Sequence, residues 1–182
     1  NPSDMVSDVL RIVDLGHKAI KIHIGHRSPK EDYVRIQAIR LALGKEFLLM
    51  VDLNAGYNAL EARQATQLWE PCNMTWLEEP LNPNHVEAMA DLRSKSAVPI
   101  ASGENEFRTF GFKRLFDQYA VDVAMPDIGR AGGLMETKNI CALAETYGIP
   151  VSPHNYSSGV LLAATIHLMA STSNTQWLEM DT

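Results

Sequence analysis

The sequence predicts an α/β fold of repeated, parallel strand–helix units, a TIM-type (β/α) barrel, and three observations carry that expectation. Short apolar runs of strand length alternate with helix-like segments along the 182 residues. Each run ends in a residue able to do chemistry: His23, Asp52, Glu78, Glu104, Asp127, His154 and Glu179, spaced 23 to 29 residues apart. A near-period of that length marks a repeated supersecondary unit, and a barrel gathers the C-terminal ends of its strands, where active sites sit. A closed barrel has eight strands and about 250 residues, whereas this alternation supplies seven and begins on a helix. The expectation is therefore seven of eight strands, with residues 1–182 as one barrel domain and the first strand outside this chain.

The elements follow in order. Ser3 or Asp4 can cap a helix with apolar positions Met5, Val9, Leu10, Ile12 and Val13, which stops at Gly16. AIKIHIG (19–25) reads as a strand with Lys21 and His23 on one face, because side chains alternate. A helix over about 30–43 ends at Gly44, and LLMVDLN forms the strand of Asp52. A helix over about 60–69 leads to TWLEEP and Glu78, and one over about 85–95 leads to VPIASGEN and Glu104. A looser helix over about 110–119 precedes VDVAMPD, and a long helix over 134–147 precedes GIPVSPH. A helix over 159–170 and a last strand, TQWLEMD, complete the pattern. GRAGG, after Asp127, lacks the GxxxxGK[ST] and GxGxxG patterns, so Gly132 and Gly133 read as a tight turn rather than a phosphate cradle.

Composition narrows the function classes. A chain 46% hydrophobic and 21% charged is a globular domain able to bury a core. Its net charge of −6 argues against a nucleic-acid partner. No apolar run is long enough to span a membrane, and no signal peptide is apparent. Cys72 and Cys141 lack CxxC spacing and read as free thiols of a reducing cytoplasm.

Asp52, Glu78 and Glu104 carry the sharpest signal, each 26 residues from the next. Three carboxylates at equivalent strand ends repel one another and resist desolvation, so their convergence calls for a cation. An all-oxygen set favours Mg²⁺, with Mn²⁺ as the other choice, over zinc. One acid alone would more simply cap a helix or pair with a loop cation. Glu79 reads as a residue that holds Lys or Arg beside the metal, and Asn54 and Asn105 as contacts to substrate or ligands. His17, His26, His85 and His167 read as surface or helix residues, and Trp69, Trp76 and Trp177 as packing.

The ordered set KxH, VDxN, LEEP, GEN, MPD, GG, SPHN and WLE resembles the enolase superfamily, in its mandelate racemase/muconate lactonizing enzyme-like branch, over essentially the whole chain. The resemblance implies a modified (β/α)7β barrel with an N-terminal capping domain absent from this chain. It implies Mg²⁺ on Asp52, Glu78 and Glu104, and an Asp127–His154 dyad with His154 as general acid/base. It also implies Lys21 in a Lys-x-Lys-type motif, and Glu179 supporting the enolate oxygen. His23 stands where relatives often have a second lysine, and both a second base and an inert polar residue stay open for it. The implied substrate is a small carboxylate, a sugar acid, and the implied assembly a homo-oligomer.

Three functions follow as expectations. The first is dehydration of a sugar acid to a 2-keto-3-deoxy acid, with removal of the proton α to the carboxylate through an enediolate. The second is racemisation or epimerisation at that carbon, which needs two bases, His23 and His154. The third is a non-catalytic, incomplete metal-binding barrel. A histidine base suits either reaction because its pKa lies near working pH, and Asp127 would orient it; Lys21 would neutralise substrate charge or lower a neighbour's pKa.

Overall fold

The structure is a computed structural model and describes residues 1–180. The chain divides into two compact units, 1–100 and 101–182. Five strands, β1 (Ala19–His23), β2 (Leu48–Asp52), β3 (Trp76–Glu78), β4 (Ile100–Ser102) and β5 (Val123–Ala124), stand in sequence order in one sheet. Each pairing between β1 and β2, β2 and β3, and β4 and β5 is parallel. A parallel sheet with a helix between successive strands is the expected α/β arrangement.

In the first unit, α1 (Pro2–Asp14) is capped by Asn1, whose side chain accepts from the Ser3 amide. The cap is thus neither Ser3 nor Asp4. Proline at position 2 fits the first helical turn, where no amide hydrogen is needed, and this fixes the start one residue earlier. Helices α2 (Pro29–Leu43) and α3 (Ala59–Trp69) both open on capping boxes, from Ser28 with Glu31 and from Asn58 with Glu61. They bury Ile36, Ile39, Ala62, Ala65 and Trp69, while Leu49 and Val51 of β2 are also fully buried. Helix α4 (Val86–Lys95) completes the unit. A single 3₁₀ turn, Glu70–Cys72, follows α3.

Buried Arg40 has an unusual environment. Its guanidinium donates to four backbone carbonyls, of Cys72, Gly44, Phe47 and Asn73, at 2.7 to 2.9 Å. It thereby binds the end of α2 to the turns before β2 and β3. Arg40→Met leaves those carbonyls unpaired, and we expect a loss of roughly 3–5 kcal/mol of stability. Urea unfolding checks this; a loss below about 1 kcal/mol would show that water replaces the guanidinium.

In the second unit, α5 (Arg108–Asp117) and α7 (Leu134–Thr146) bury Phe112, Leu115, Phe116, Ile140 and Ala144. Phe116 packs on Phe112 and Tyr147, with ring centroids 6.0 and 5.5 Å apart. Helix α8 (Gly159–Ala170) has the expected bounds. GRAGG is more than a turn: Ile128–Ala131 forms one short helix, α6, before Gly132 and Gly133 adopt positive φ and start α7.

The last two expected strands are reduced to isolated parallel bridges, Ala124 to Val151 and Val151 to Thr175. Pro150 and Pro153 flank the first and have no amide to donate. Past Thr175 the chain is tied by other bonds, from Ser152 Oγ to the Trp177 carbonyl and from Asn155 to Glu179. Asp181, in the expected final strand, lies outside the described residues. Among the described residues no helix is long and apolar enough to cross a membrane.

Candidate metal and proton-transfer site

Parallel register builds the first unit's share of the site. His23 pairs with Asp52, and Asp52 with Glu78, so one row of residues ends three strands. Asp52 and Glu78 are almost wholly inaccessible, at 1% and 0% exposed. Lys21 Nζ lies 2.8 Å from Glu78 Oε1 and 3.9 Å from Asp52 Oδ2. His23 Nδ1 lies 3.2 Å from both Asp52 Oδ2 and Asn54 Oδ1. Lys21 and His23 thus address the same carboxylate, as strand alternation requires.

Asn54 closes this group by donating its backbone amide to Asp52 Oδ1 at 2.8 Å and its side-chain amide to Oδ2 at 3.0 Å. Asn54, Ala55 and Glu79 all have positive φ, strained for residues with a Cβ. Their strain is confined to the turns right after Asp52 and Glu78. Glu79 is buried, and its carbonyl accepts from the Ala55 amide. Trp76, expected only to pack, donates its indole N–H to Glu78 Oε2 at 3.2 Å. Its position two residues before Glu78 on one strand was the available signal.

Electrostatics follow from these contacts. For Asp52, burial opposes ionisation, yet the His23 hydrogen bond, the Lys21 charge and the Asn54 amide outweigh it and hold the carboxyl below its usual range. His23 is raised by its hydrogen bond to Asp52, against the effect of burial.

The second unit carries the other share. Gly103 precedes Glu104 at φ +139°, and a Cβ there would lie 2.7 Å from Phe112 Cε1, so only glycine fits. Asp127 caps α6 and accepts from the Gly129 amide at 2.7 Å. Its second oxygen accepts from His154 Nδ1 at 2.7 Å. Facing a carboxylate oxygen, Nδ1 carries a proton in that bond. His154 Nε2 lies 3.4 Å from Glu104 Oε2. Burial resists the charge on Asp127, but the bonds from His154 and Gly129 prevail and lower its pKa.

Arg130 also belongs to this group. Its Nη1 lies 3.3 Å from the Glu104 carbonyl, 3.1 Å from Asn105 Oδ1 and 3.5 Å from Glu104 Oε1. Asn105 Nδ2 reaches Glu104 Oε1 at 3.4 Å, so Asn105 orients that carboxylate. Glu179 Oε2 accepts from the Asn155 amide at 2.9 Å, and its carbonyl from Asn155 Nδ2 at 3.0 Å. Arg130 and Asn155 were hidden within motifs weighed for other members, GRAGG for its glycines and SPHN for its histidine. His85, His167 and His26 are exposed, as expected.

Asp52 and Glu78 of the first unit and Glu104 of the second each offer a carboxylate oxygen of the kind a hard cation binds. Glu104 Oε2 is buried without a hydrogen-bond partner, an expensive state that a cation relieves. The donor set and this orphaned oxygen together fit a hard divalent ion.

The Enolase C-terminal domain-like family matches residues 4–182. Arabinonate dehydratase of Saccharolobus solfataricus is 32% identical over 92% of this chain and 45% of its own length. D-galactarolactone cycloisomerase of Agrobacterium fabrum is 34% identical over 93% of this chain and 44% of its own. The crystal structure of L-talarate dehydratase from Polaromonas sp. JS666, complexed with Mg and L-glucarate, superposes with a TM-score of 0.88 at 28% identity. That match covers 100% of this chain and 49% of the dehydratase. The chain thus spans a little under half the length of the curated relatives it matches.

Proposed function

Because the chain belongs to the Enolase C-terminal domain-like family, we propose that it supplies the metal ligands and proton-transfer residues of an enzyme that dehydrates a sugar acid to a 2-keto-3-deoxy acid. The observation that carries this reading is a buried carboxylate group in each unit: Asp52 paired with Glu78 in the first, and Glu104 beside the His154–Asp127 pair in the second. Asp52, Glu78 and Glu104 would hold Mg²⁺, which when bound supplies positive charge to the substrate carboxylate as the α-proton leaves. Manganese would serve the same ligands.

The chain's own residues do the rest. His154 Nε2 takes the α-proton, and Asp127 stabilises the imidazolium so formed. The electron pair left on the α-carbon forms the enediolate, to whose oxygen Glu179 is assigned. Collapse of the enediolate breaks the bond to the 3-hydroxyl, which takes the proton from His154 and leaves as water. The enol product tautomerises to the 2-keto-3-deoxy acid. Lys21 balances part of the charge of Asp52 and Glu78 beside the reacting carboxylate. Buried, unpaired thiols at Cys72 and Cys141 agree with a reducing cytoplasm.

Epimerisation is the second reading, and His23 favours it. Its Nδ1 is held by Asp52 and Asn54 while the ring is about half exposed, so it could serve as a second base. His23→Ala separates the two. Proton NMR in D₂O, with Mg²⁺ and a panel of aldonic and aldaric acids, follows α-deuterium uptake and loss of the 3-hydroxyl. Dehydration through His154 predicts a 2-keto-3-deoxy product from the wild type and from His23→Ala. Exchange with inversion and no keto product, abolished in His23→Ala, would establish the epimerase instead.

A further inference from the structure

Asp32, in the first turn of α2, is wholly buried, and no step assigned above uses it. Its carboxylate has three donors. Oδ2 accepts from the Gly25 amide at 3.1 Å and from the Tyr57 hydroxyl at 2.7 Å, while Oδ1 accepts from Arg35 Nη1 at 3.1 Å. Gly25 follows His23 past the end of β1, and Tyr57 follows Asn54 past the end of β2. One buried acid thus ties together the two turns beside His23 and Asn54, through bonds of the stronger, charge-assisted kind.

The two turns also meet backbone to backbone. A Cβ at Gly56 would lie 2.3 Å from the Gly25 carbonyl oxygen, and one at Gly25 would lie 2.8 Å from the Leu53 carbonyl oxygen, so both places demand glycine. Burial, and then the bond to Asp32, push the Tyr57 phenol above its ordinary pKa, so its hydroxyl stays a donor. The Tyr57 ring packs on Trp69 of α3, with centroids 5.9 Å apart, and the Trp69 indole N–H donates to the Pro29 carbonyl at 2.8 Å. Trp69 thereby holds the ring against the first turn of α2.

Beside these anchors lies the strained stretch. Asn54 and Ala55 have φ of +43° and +58°, a conformation that persists only where the surroundings enforce it. The Ala55 amide is tied to the Glu79 carbonyl at 2.8 Å, and Tyr57, two residues on, is tied to Asp32. In that conformation Asn54 gives both its backbone and its side-chain amide to Asp52. We propose that Asp32 is a positioning residue: through Tyr57 and Gly25 it holds the turn after β2 in the strained form in which Asn54 orients Asp52. Without that hold the turn relaxes, Asn54 releases Asp52, and a bound ion must order the carboxylate itself. The consequence for the ion rests on the ligand reading of Asp52 above; the hold on the turn does not.

Tyr57→Phe removes the hydroxyl and keeps the ring on Trp69. Amide hydrogen exchange followed by NMR reads the turn without any metal. The Asn54 and Ala55 amides should exchange at least about tenfold faster in the variant, while those of α4 keep their rates, as suits a local opening that costs one bond to a charged acceptor. Mn²⁺ affinity of the folded protein, by electron paramagnetic resonance, should weaken about tenfold as well. Asp32→Asn, of the same shape, should act in the same direction, and either variant decides if the other does not fold. Arg40→Met is the control, since it destabilises the same unit elsewhere; Mn²⁺ affinity of its folded form should stay within about twofold of the wild type. Unchanged exchange at Asn54 and Ala55, exchange that rises equally in α4, or faster exchange with unchanged Mn²⁺ affinity would each overturn the proposal. Wild-type protein that binds no Mn²⁺ would sink the ligand reading, and the exchange rates would then decide the positioning role alone.

Discussion

His154→Asn is expected to lower the rate of α-deuterium exchange by about a thousandfold, within the 10²–10⁴ range of a positioned general base. The imidazole is held on one side by Asp127 at 2.7 Å and faces Glu104 Oε2 at 3.4 Å on the other. Asparagine keeps a polar group near Asp127 but has no nitrogen able to take a proton. Because Asp52, Glu78 and Glu104 are unchanged, Mn²⁺ affinity should fall by less than about threefold, as suits a residue outside the ligand set. Exchange rate by proton NMR and Mn²⁺ binding by electron paramagnetic resonance read the two effects separately. Exchange that survives in His154→Asn would move the base elsewhere, with His23 the first candidate.

Removing the metal should have the larger effect still. Chelation with EDTA is expected to abolish exchange and dehydration together, and excess Mg²⁺ to restore both. The reason lies in the charge of the proposed intermediate: Lys21, the cation beside Asp52 and Glu78, is already committed to them. Glu104→Gln should mimic chelation, with a loss of at least about a thousandfold in exchange rate, because the amide removes one of three ligand charges. The variant should fold, since the glutamine is of the same size and its Oε1 still accepts from Asn105 Nδ2. An enzyme indifferent to EDTA would refute the role given to the carboxylates.

The site was legible in the sequence to the extent that strand register transmits it. In parallel strands, residues at equivalent places in successive units stand in a row, and His23, Asp52 and Glu78 do so pair by pair. The Asp127–His154 bond matches the dyad that the family resemblance implied. What was not legible depended on long side chains and on bonds outside the ladder. Arg130 reaches Glu104 and Asn105 from the turn of α6, and spacing does not encode where an arginine turns. Trp76 could have been found, since it shares a strand face with Glu78.

The fold shows the same division. Caps, glycine stops and apolar periodicity marked the helices to within a few residues, α8 without error. Beyond β5 the prolines around Val151 and the side-chain ties of Ser152 and Asn155 replaced a regular ladder. An apolar run alone predicts burial there, not the number of ladder bonds. The 3₁₀ turn at Glu70–Cys72 and the cage around Arg40 were likewise invisible, being set by carbonyls that tertiary packing brings together.

The central claim is that Asp52, Glu78 and Glu104 together bind one divalent ion. Titration of Mn²⁺ into metal-free protein, followed by electron paramagnetic resonance, tests it directly. The account predicts one ion per chain, displaced by Mg²⁺ and lost in Glu78→Gln. Absence of a stoichiometric site, or one that persists unchanged in Glu78→Gln, would contradict it.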